Sequence, residues 1–130
     1  MTIFKTMETV PARILIIDDE VFIRKSVREI LLDQGYFVKE AGNSEQGFEL
    51  LNKESFDLVL LDIQMPGMDG MDTLKKMFRE NYETEVIMIS GHGSIETAVE
   101  AIKFGAHAFL QKPFSMAKLK SSVNSLLAME

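Results

Sequence analysis

The sequence contains no cysteine among its 130 residues. This absence excludes disulfides, thiolate metal sites and a cysteine nucleophile. Structural disulfides belong to oxidising compartments, so a chain without cysteine suits a reducing one. We therefore expect a cytoplasmic protein.

Long hydrophobic runs and an excess of positive charge are also missing. The longest purely apolar stretches are a few residues long, as over residues 58–61, whereas a membrane-spanning helix needs about 20. The first residues lack the apolar core of a signal peptide. We interpret residues 1–11 as an N-terminal extension and residues 12–130 as one domain. We expect no membrane partner, and the formal net charge of −6 argues against direct nucleic-acid binding.

What is present is a regular alternation of strand and helix patterns. Apolar residues make up 46% of the chain, enough for a buried core. Several strand patterns are continuously apolar, which is typical of parallel sheets covered on both faces. The pattern predicts an α/β fold with an open, doubly wound, five-stranded parallel sheet. The five predicted strands are residues 13–17, 36–41, 57–61, 86–89 and 108–110.

Helix ends and helix faces can also be predicted from these patterns. Ser44, Ser94 and Ser115 are candidate N-caps of the second, fourth and fifth helices. Gly35 and Gly105 are candidate helix stops. In the fourth helix the apolar spacing predicts a buried face, formed by Ile95, Val99 and Ile102.

Chemically useful side chains follow four of the five predicted strands. In open α/β sheets, ligands bind beyond the carboxyl ends of the strands. The side chains delivered there are, in chain order, Asp18 and Asp19, Asp62, Ser90 and Lys112.

The charges of this group predict a bound cation. Three carboxylates against one ammonium leave an excess of negative charge, and close carboxylates cannot all stay ionised without a counter-ion. Only hard oxygen ligands are available, which favours Mg²⁺. A carboxylate can attack phosphorus and form an acyl phosphate, whose oxygens a metal, an ammonium and a hydroxyl can stabilise. Asp62 is the best candidate nucleophile because it ends the central strand opposite the acidic pair.

Each of these features alone also has a structural explanation. An acidic pair after a strand can simply cap a helix, and Ser90 before Gly91 or Lys112 before Pro113 can be a turn. It is their joint position at one sheet edge that favours a functional site.

Four segments carry a resemblance to a known family. ILIIDDE, DLVLLDIQMPGMDG, VIMISGHG and AFLQKPF resemble the signature segments of response regulator receiver domains, the CheY-like family, over about residues 13–127. The resemblance implies the strand order 2-1-3-4-5.

The resemblance also implies roles for the acidic residues. Asp62 matches the phosphorylated aspartate, and Asp18 and Asp19 match the pair that holds Mg²⁺. The backbone carbonyl of Gln64 would supply a further metal ligand. The side chains of Gln64 and His92 match positions that tune the lifetime of the acyl phosphate.

Three more residues match the phosphate-binding and switch positions of the family, and a fourth matches its cis-proline. Ser90 and Lys112 would bind the phosphoryl oxygens, and Phe109 matches the switch position. The peptide bond between Lys112 and Pro113 should be cis.

The implied function is two-component signal transduction. A sensor histidine kinase would supply the phosphoryl group, and the face of the fourth helix, fifth strand and fifth helix would switch and could form a homodimer. That face would include Glu100, Lys103, His107 and Lys118. The stretch over residues 91–114 is similar to receivers of the NtrC type, which regulate sigma-54-dependent transcription. Both a receiver cut from a longer regulator and a stand-alone single-domain regulator fit the sequence.

Two other functional classes compete with this interpretation. A haloacid-dehalogenase-like phosphatase also uses an aspartate, Mg²⁺ and a lysine, but its nucleophile follows the first strand in a DxD motif, where this chain has Glu20 as the third residue. A flavodoxin-like cofactor binder needs a first loop rich in Ser, Thr and Gly, whereas DDEVF would repel phosphate. We therefore expect a phosphoacceptor rather than a turnover enzyme.

Overall fold

Strands and helices alternate along the chain, as predicted. The computed structural model describes residues 10–65, 67–91 and 94–127, so most of the predicted N-terminal extension lies outside the described residues. In chain order the elements are β1 (Arg13–Ile17), α1 (Val21–Asp33), β2 (Phe37–Ala41), α2 (Ser44–Lys53), β3 (Leu58–Asp62), α3 (Gly70–Arg79), β4 (Glu85–Ser90), α4 (Ile95–Lys103), β5 (Ala108–Gln111) and α5 (Met116–Leu127).

The five strands form one parallel sheet in the order β2-β1-β3-β4-β5, which confirms the predicted fold. β3 lies at the centre, paired with β1 and β4. All five of its residues are buried, as expected for a strand covered on both faces.

Side chains of the strands alternate between two hydrophobic clusters. Leu15 and Ile17 of β1 point to the cluster that α2, α3 and α4 cover. Ile14 and Ile16 point to the other cluster, which α1 and α5 cover with residues such as Leu119. Because side chains alternate along a strand, each strand contributes to both cores.

Among the described residues, four helices have a side-chain cap at the N-terminus, and two of these caps, Ser94 and Ser115, were predicted. Asp69, Ser94 and Ser115 accept hydrogen bonds from the backbone N–H three residues later. For α2 the prediction was wrong: the cap is Asn43, which accepts from the N–H of Gln46 at 2.8 Å.

Ser44 instead begins α2 and is buried. Its hydroxyl donates to the carbonyl of Met68 at 3.1 Å and also contacts the hydroxyl of Thr73. The burial of Ser44 therefore serves contacts between segments that are distant in sequence, which a local capping pattern cannot reveal.

The prediction of which face of α4 is buried was also wrong. Ile95, Val99 and Ile102 are 84%, 59% and 51% exposed, whereas Ala101 is fully buried. The i, i+4, i+7 spacing does place the three residues on one face. That face points away from the sheet, because the small Ala101 side chain forms the contact with the core.

Gly70 lets α3 start directly against the end of β3. Its N–H donates to the carbonyl of Ile63 at 2.7 Å. A Cβ atom at this position would lie 2.1 Å from the carbonyl oxygen of Asp62. The position of the β3 carboxyl end thus depends on the absence of a side chain at residue 70.

No helix within the described residues is both long and apolar enough to cross a membrane.

We predict that Gly70→Ala lowers the free energy of unfolding by about 2 kcal/mol, because the new methyl group must displace buried backbone. Urea unfolding measures this change. Gly91→Ala is the control, since a Cβ atom there meets nothing within 4 Å. Equal effects of the two substitutions would contradict the steric explanation.

Candidate functional site

The carboxyl ends of four strands meet at one edge of the sheet. Asp62 is the last residue of β3, and Ser90 is the last residue of β4. Asp18 directly follows β1, and Lys112 directly follows β5. Asp18, Asp62 and Ser90 are buried. The parallel pairing of the strands therefore brings together side chains that are up to about a hundred residues apart in sequence.

Lys112 is the cationic centre of this group. Its Nζ atom lies 2.6 Å from Glu20 Oε1, 3.2 Å from Asp18 Oδ2 and 3.7 Å from Asp62 Oδ2. Its backbone N–H donates to the carbonyl of Ser90 at 2.8 Å, which ties the end of β5 to the end of β4.

Asp18 is held in place through its backbone and its side chain. Its N–H donates to the carbonyl of Ala41 at 3.1 Å. Arg24 donates to the carbonyl of Asp18 at 2.7 Å and to Glu40 Oε1 at 2.9 Å. The N–H of Glu20 donates to Asp18 Oδ1 at 2.9 Å. These bonds orient the carboxylate toward Asp62 and Lys112.

The environment of Asp62 disfavours its charge. Burial and the negative charge of Asp18 raise the pKa of Asp62 from 3.8 to about 7, although Lys112 and the N–H of Gln64, which donates to Oδ1 at 3.3 Å, oppose this rise. Burial also opposes the charge of Lys112, but the bond to Glu20 and the charges of Asp18 and Asp62 outweigh it, so the pKa of Lys112 is raised. The site therefore has more negative charge than its single lysine compensates.

This charge imbalance and the oxygen donors fit a divalent cation. One carboxylate oxygen from each of Asp18, Glu20 and Asp62 lies within 4.8 Å of the others. Mg²⁺ prefers carboxylate and carbonyl oxygens and keeps several waters, so a partly open group of this kind suits it. Asp19 is exposed and lines the adjoining cavity, but it is not part of this group of three.

The remaining predicted residues lie on neighbouring elements. Gln64 lines the same cavity as Asp19. Phe109 lies in β5 opposite Met88 and packs, half-buried, against the core under α4. The Lys112–Pro113 peptide bond is cis, in agreement with the expectation. His92 lies outside the described residues.

An open cavity of about 680 Å³ adjoins the carboxylates. One side is polar, formed by residues that include Glu20 and Lys112. The other side is largely apolar and comes from α1 and from the segment after β5, with Phe22, Ile23, Val27, Ile30, Pro113, Phe114 and Met116. The site can thus be reached from outside along an apolar surface.

Chemically, the arrangement suits nucleophilic attack by a carboxylate on phosphorus. A carboxylate at a strand end is next to an ammonium that can neutralise an incoming oxygen, and the donor set can hold a cation. Three residues that shape this site were not predicted from sequence: Glu20, Arg24 and Gly70. Only Glu20 carried a signal, as the third acid of the run Asp18-Asp19-Glu20.

The chain matches the model of a known protein family. A family model described as the response regulator receiver domain matches residues 14–124. These residues include all four strand ends of the site.

Many curated proteins are similar to this chain, and two of them show the range of the similarity. The chain is 44% identical over 108 residues to an NtrX-like response regulator of Rickettsia bellii (strain RML369-C), an alignment that covers 82% of this chain and 23% of that protein. It is 38% identical over 116 residues to the chemotaxis protein CheY of Bacillus subtilis (strain 168), covering 88% of this chain and 97% of CheY. The chain thus spans about a quarter of the length of the NtrX-like relative.

A solved structure is similar as well. The receiver domain of NtrX from Brucella abortus superposes with a TM-score of 0.83 at 39% identity, covering 90% of this chain and 99% of that one. The similarity to NtrX agrees with the predicted resemblance to receivers of the NtrC type.

We predict that stability in metal-free buffer falls as pH rises toward and through about 7. The pKa of Asp62 is about 7 in the folded protein and near 3.8 when unfolded, so the folded state holds the proton more tightly. Ionisation of Asp62 therefore costs stability, by about 2 kcal/mol between pH 5.5 and pH 8. Urea unfolding at the two pH values measures this loss.

Asp62→Asn is the matched variant for this measurement, because it keeps the size of the side chain without its titration. The variant should lose most of this pH dependence, whereas the titrations of other groups remain in both proteins. A pH dependence that is the same in both proteins would contradict the shifted pKa of Asp62.

Proposed function

This chain belongs to the response regulator receiver domain family, and we propose that it accepts a phosphoryl group from a histidine kinase on Asp62. Receiver domains are signalling domains of two-component systems rather than turnover enzymes. The observation that carries the proposal is the placement of Asp62 beside Asp18 and Lys112 at the carboxyl edge of the sheet.

In the proposed reaction, a carboxylate oxygen of Asp62 forms a bond to phosphorus. The bond between phosphorus and the donor histidine nitrogen breaks on the opposite side. The donor histidine nitrogen keeps the electron pair of that bond and takes up a proton. Lys112 needs to move by only a short distance to reach the transferred oxygens, because its Nζ lies 3.7 Å from Asp62 Oδ2.

We propose Asp18, Asp19, Asp62 and the backbone carbonyl of Gln64 as the residues that hold Mg²⁺. When bound, the ion would neutralise charge that develops on the phosphoryl oxygens. The raised pKa of Asp62 supports this assignment, because a nearby cation favours the ionised form that attacks phosphorus.

Ser90 and Phe109 are the proposed switch residues. The Ser90 hydroxyl would donate to a phosphoryl oxygen, and its movement would leave space for the Phe109 ring. Phe109 lies in β5, next to the strand that ends in Ser90, and packs against the core under α4. Phosphorylation would thereby shift the population between two packings of the surface formed by α4, β5 and α5.

The open cavity supports a kinase partner. Its apolar side, which includes the exposed Phe22 and Met116, leads directly to the carboxylates. A helix of the partner that carries the phosphohistidine could pack on this surface while the phosphoryl group reaches Asp62.

We further propose that the exposed stripe of α4 pairs with a second copy when the protein regulates transcription. Two antiparallel α4 helices centred on Val99 would place Ile95 of one copy beside Ile102 of the other. On the flank of this stripe, Glu96 would face Lys103 of the other copy, because both lie about 50° from Val99 on the same side of the helix. The stripe is thus complementary to itself in both shape and charge.

A stand-alone regulator is the second candidate, because one relative, CheY of Bacillus subtilis, is matched over 97% of its own length. In that arrangement the surface of α4, β5 and α5 would bind a separate target protein. A phosphatase of the haloacid-dehalogenase type is disfavoured, because Asp62 lies at the end of the third strand and not after the first.

We predict that a small phosphodonor such as acetyl phosphate, with Mg²⁺, adds one phosphoryl group to the protein. Intact-mass measurement should show one adduct in the parent and none in Asp62→Asn. Asp57→Asn is the control, because Asp57 lies at the opposite end of β3 and should leave the adduct unchanged. An adduct that persists in Asp62→Asn would refute the assignment.

We also predict that Gln64→Ala changes the lifetime of the acyl phosphate more than the affinity for Mg²⁺. The side chain flanks the phosphorylation site, whereas the proposed metal ligand is the backbone carbonyl. A dephosphorylation time course and a calorimetric Mg²⁺ titration measure the two quantities. The same proposal holds for His92. An unchanged lifetime with weakened Mg²⁺ binding would reverse the assignment.

Val99→Glu should abolish dimerisation of the phosphorylated protein, because it places two like charges at the centre of the proposed interface. Sedimentation with and without phosphodonor measures this effect. Val21→Glu is a matched control, since Val21 is 56% exposed on α1 and Val99 is 59% exposed on α4. Dimers that persist in Val99→Glu would exclude the α4 pairing.

A further inference from the structure

Lys112 contacts the proposed nucleophile less closely than it contacts Glu20. The Nζ atom is 2.6 Å from Glu20 Oε1, a hydrogen-bonding distance, and 3.7 Å from Asp62 Oδ2, which is an ion pair without a direct hydrogen bond. The residue that would bind the phosphoryl group is therefore engaged elsewhere.

The local structure of Glu20 favours this engagement. Glu20 occupies the N-cap position of α1, yet its side chain caps no backbone N–H of the helix. Its own N–H is bonded to Asp18 Oδ1, which fixes the backbone at the site. The carboxylate extends across the site to the segment after β5 instead of folding back on α1.

From these contacts we propose that Glu20 holds Lys112 away from Asp62 in the unphosphorylated protein and competes with the phosphoryl group for the Lys112 ammonium. This inference rests on the proposed function, because it assigns a regulator to the same site. Glu20 is a positioning residue in this account, since it acts on the phosphoryl group only through Lys112.

The competition follows from charge and exposure. A phosphoryl group on Asp62 carries more negative charge than the Glu20 carboxylate, so it can take over the ammonium. The Glu20 side chain is 56% exposed, and a bond of such a group to lysine is weak enough to open. The open form is the one in which Lys112 is released from Glu20. The affinity of a ligand that needs this form is reduced in proportion as the population of the form is reduced.

Glu20 has one alternative role that makes the opposite prediction. Its carboxylate oxygen lies within 4.8 Å of those of Asp18 and Asp62, so it could serve as a metal ligand. If Glu20 were a metal ligand, loss of its charge would weaken binding of a phosphoryl group. If Glu20 is a competitor for Lys112, loss of its charge strengthens that binding.

Beryllofluoride, a phosphoryl analogue, is the probe for the test. Its affinity is measured by fluorine NMR on the full chain, at a Mg²⁺ concentration that saturates each variant. Glu20→Gln should bind the analogue about threefold to fivefold more tightly than the parent, because the competing bond loses its charge. Glu49→Gln, which removes an equal charge from the exposed face of α2, should bind it like the parent. Unchanged or weaker binding by Glu20→Gln overturns the proposal.

A second variant, Glu20→Asp, tests whether the effect comes from the bond to Lys112 or from repulsion between the carboxylate at residue 20 and the bound analogue. The shorter side chain keeps the charge but loses reach toward Nζ. It should bind the analogue more tightly than the parent, as Glu20→Gln does. Parent-like affinity in Glu20→Asp would overturn competition for Lys112.

The phosphodonor experiment distinguishes this proposal from the proposed function. If the parent forms no adduct on Asp62, the proposed function fails and the competition fails with it. If the parent forms the adduct and Glu20→Gln shows no gain in affinity for the analogue, only the role of Glu20 fails.

Discussion

Two buried carboxylates at the ends of neighbouring parallel strands dominate this molecule. The pairing of β1 with β3 places Asp18 and Asp62 at the same sheet edge, and burial removes the water that would otherwise stabilise their charges. Lys112 offsets part of this repulsion, and the pKa of Asp62 still rises to about 7. The remaining negative charge makes the site suited to a divalent cation and, with the cation present, to a phosphoryl group.

The rest of the fold holds these charges in position. Arg24 links α1 to the carbonyl of Asp18 and to Glu40 of β2. Gly70 allows α3 to pack against the backbone of Asp62 without a side chain between them. Lys112 is bonded through its N–H to the carbonyl of Ser90, which ties the end of β5 to the end of β4.

The accuracy of the sequence predictions depended on how local each signal was. Every strand end was predicted to within one residue, because a continuously apolar run that ends in a polar or charged residue is a local pattern. The orientation of α4 was not predicted correctly, because periodic spacing defines an apolar stripe but does not show whether that stripe faces the sheet. Ser44 was assigned as a cap for a similar reason: its partners, Met68 and Thr73, are distant in sequence.

The sequence by itself determined the order of strands and helices and the strand ends that carry chemistry, including Asp18, Asp62, Ser90 and Lys112. Hydrophobic periodicity and the alternation of elements encode this information within short windows. Only the tertiary structure decided that Lys112 is closest to Glu20, that Gly70 touches Asp62, and that Ile95, Val99 and Ile102 face outward. These features depend on distances between segments far apart in the chain, which are set by how the helices pack on the finished sheet.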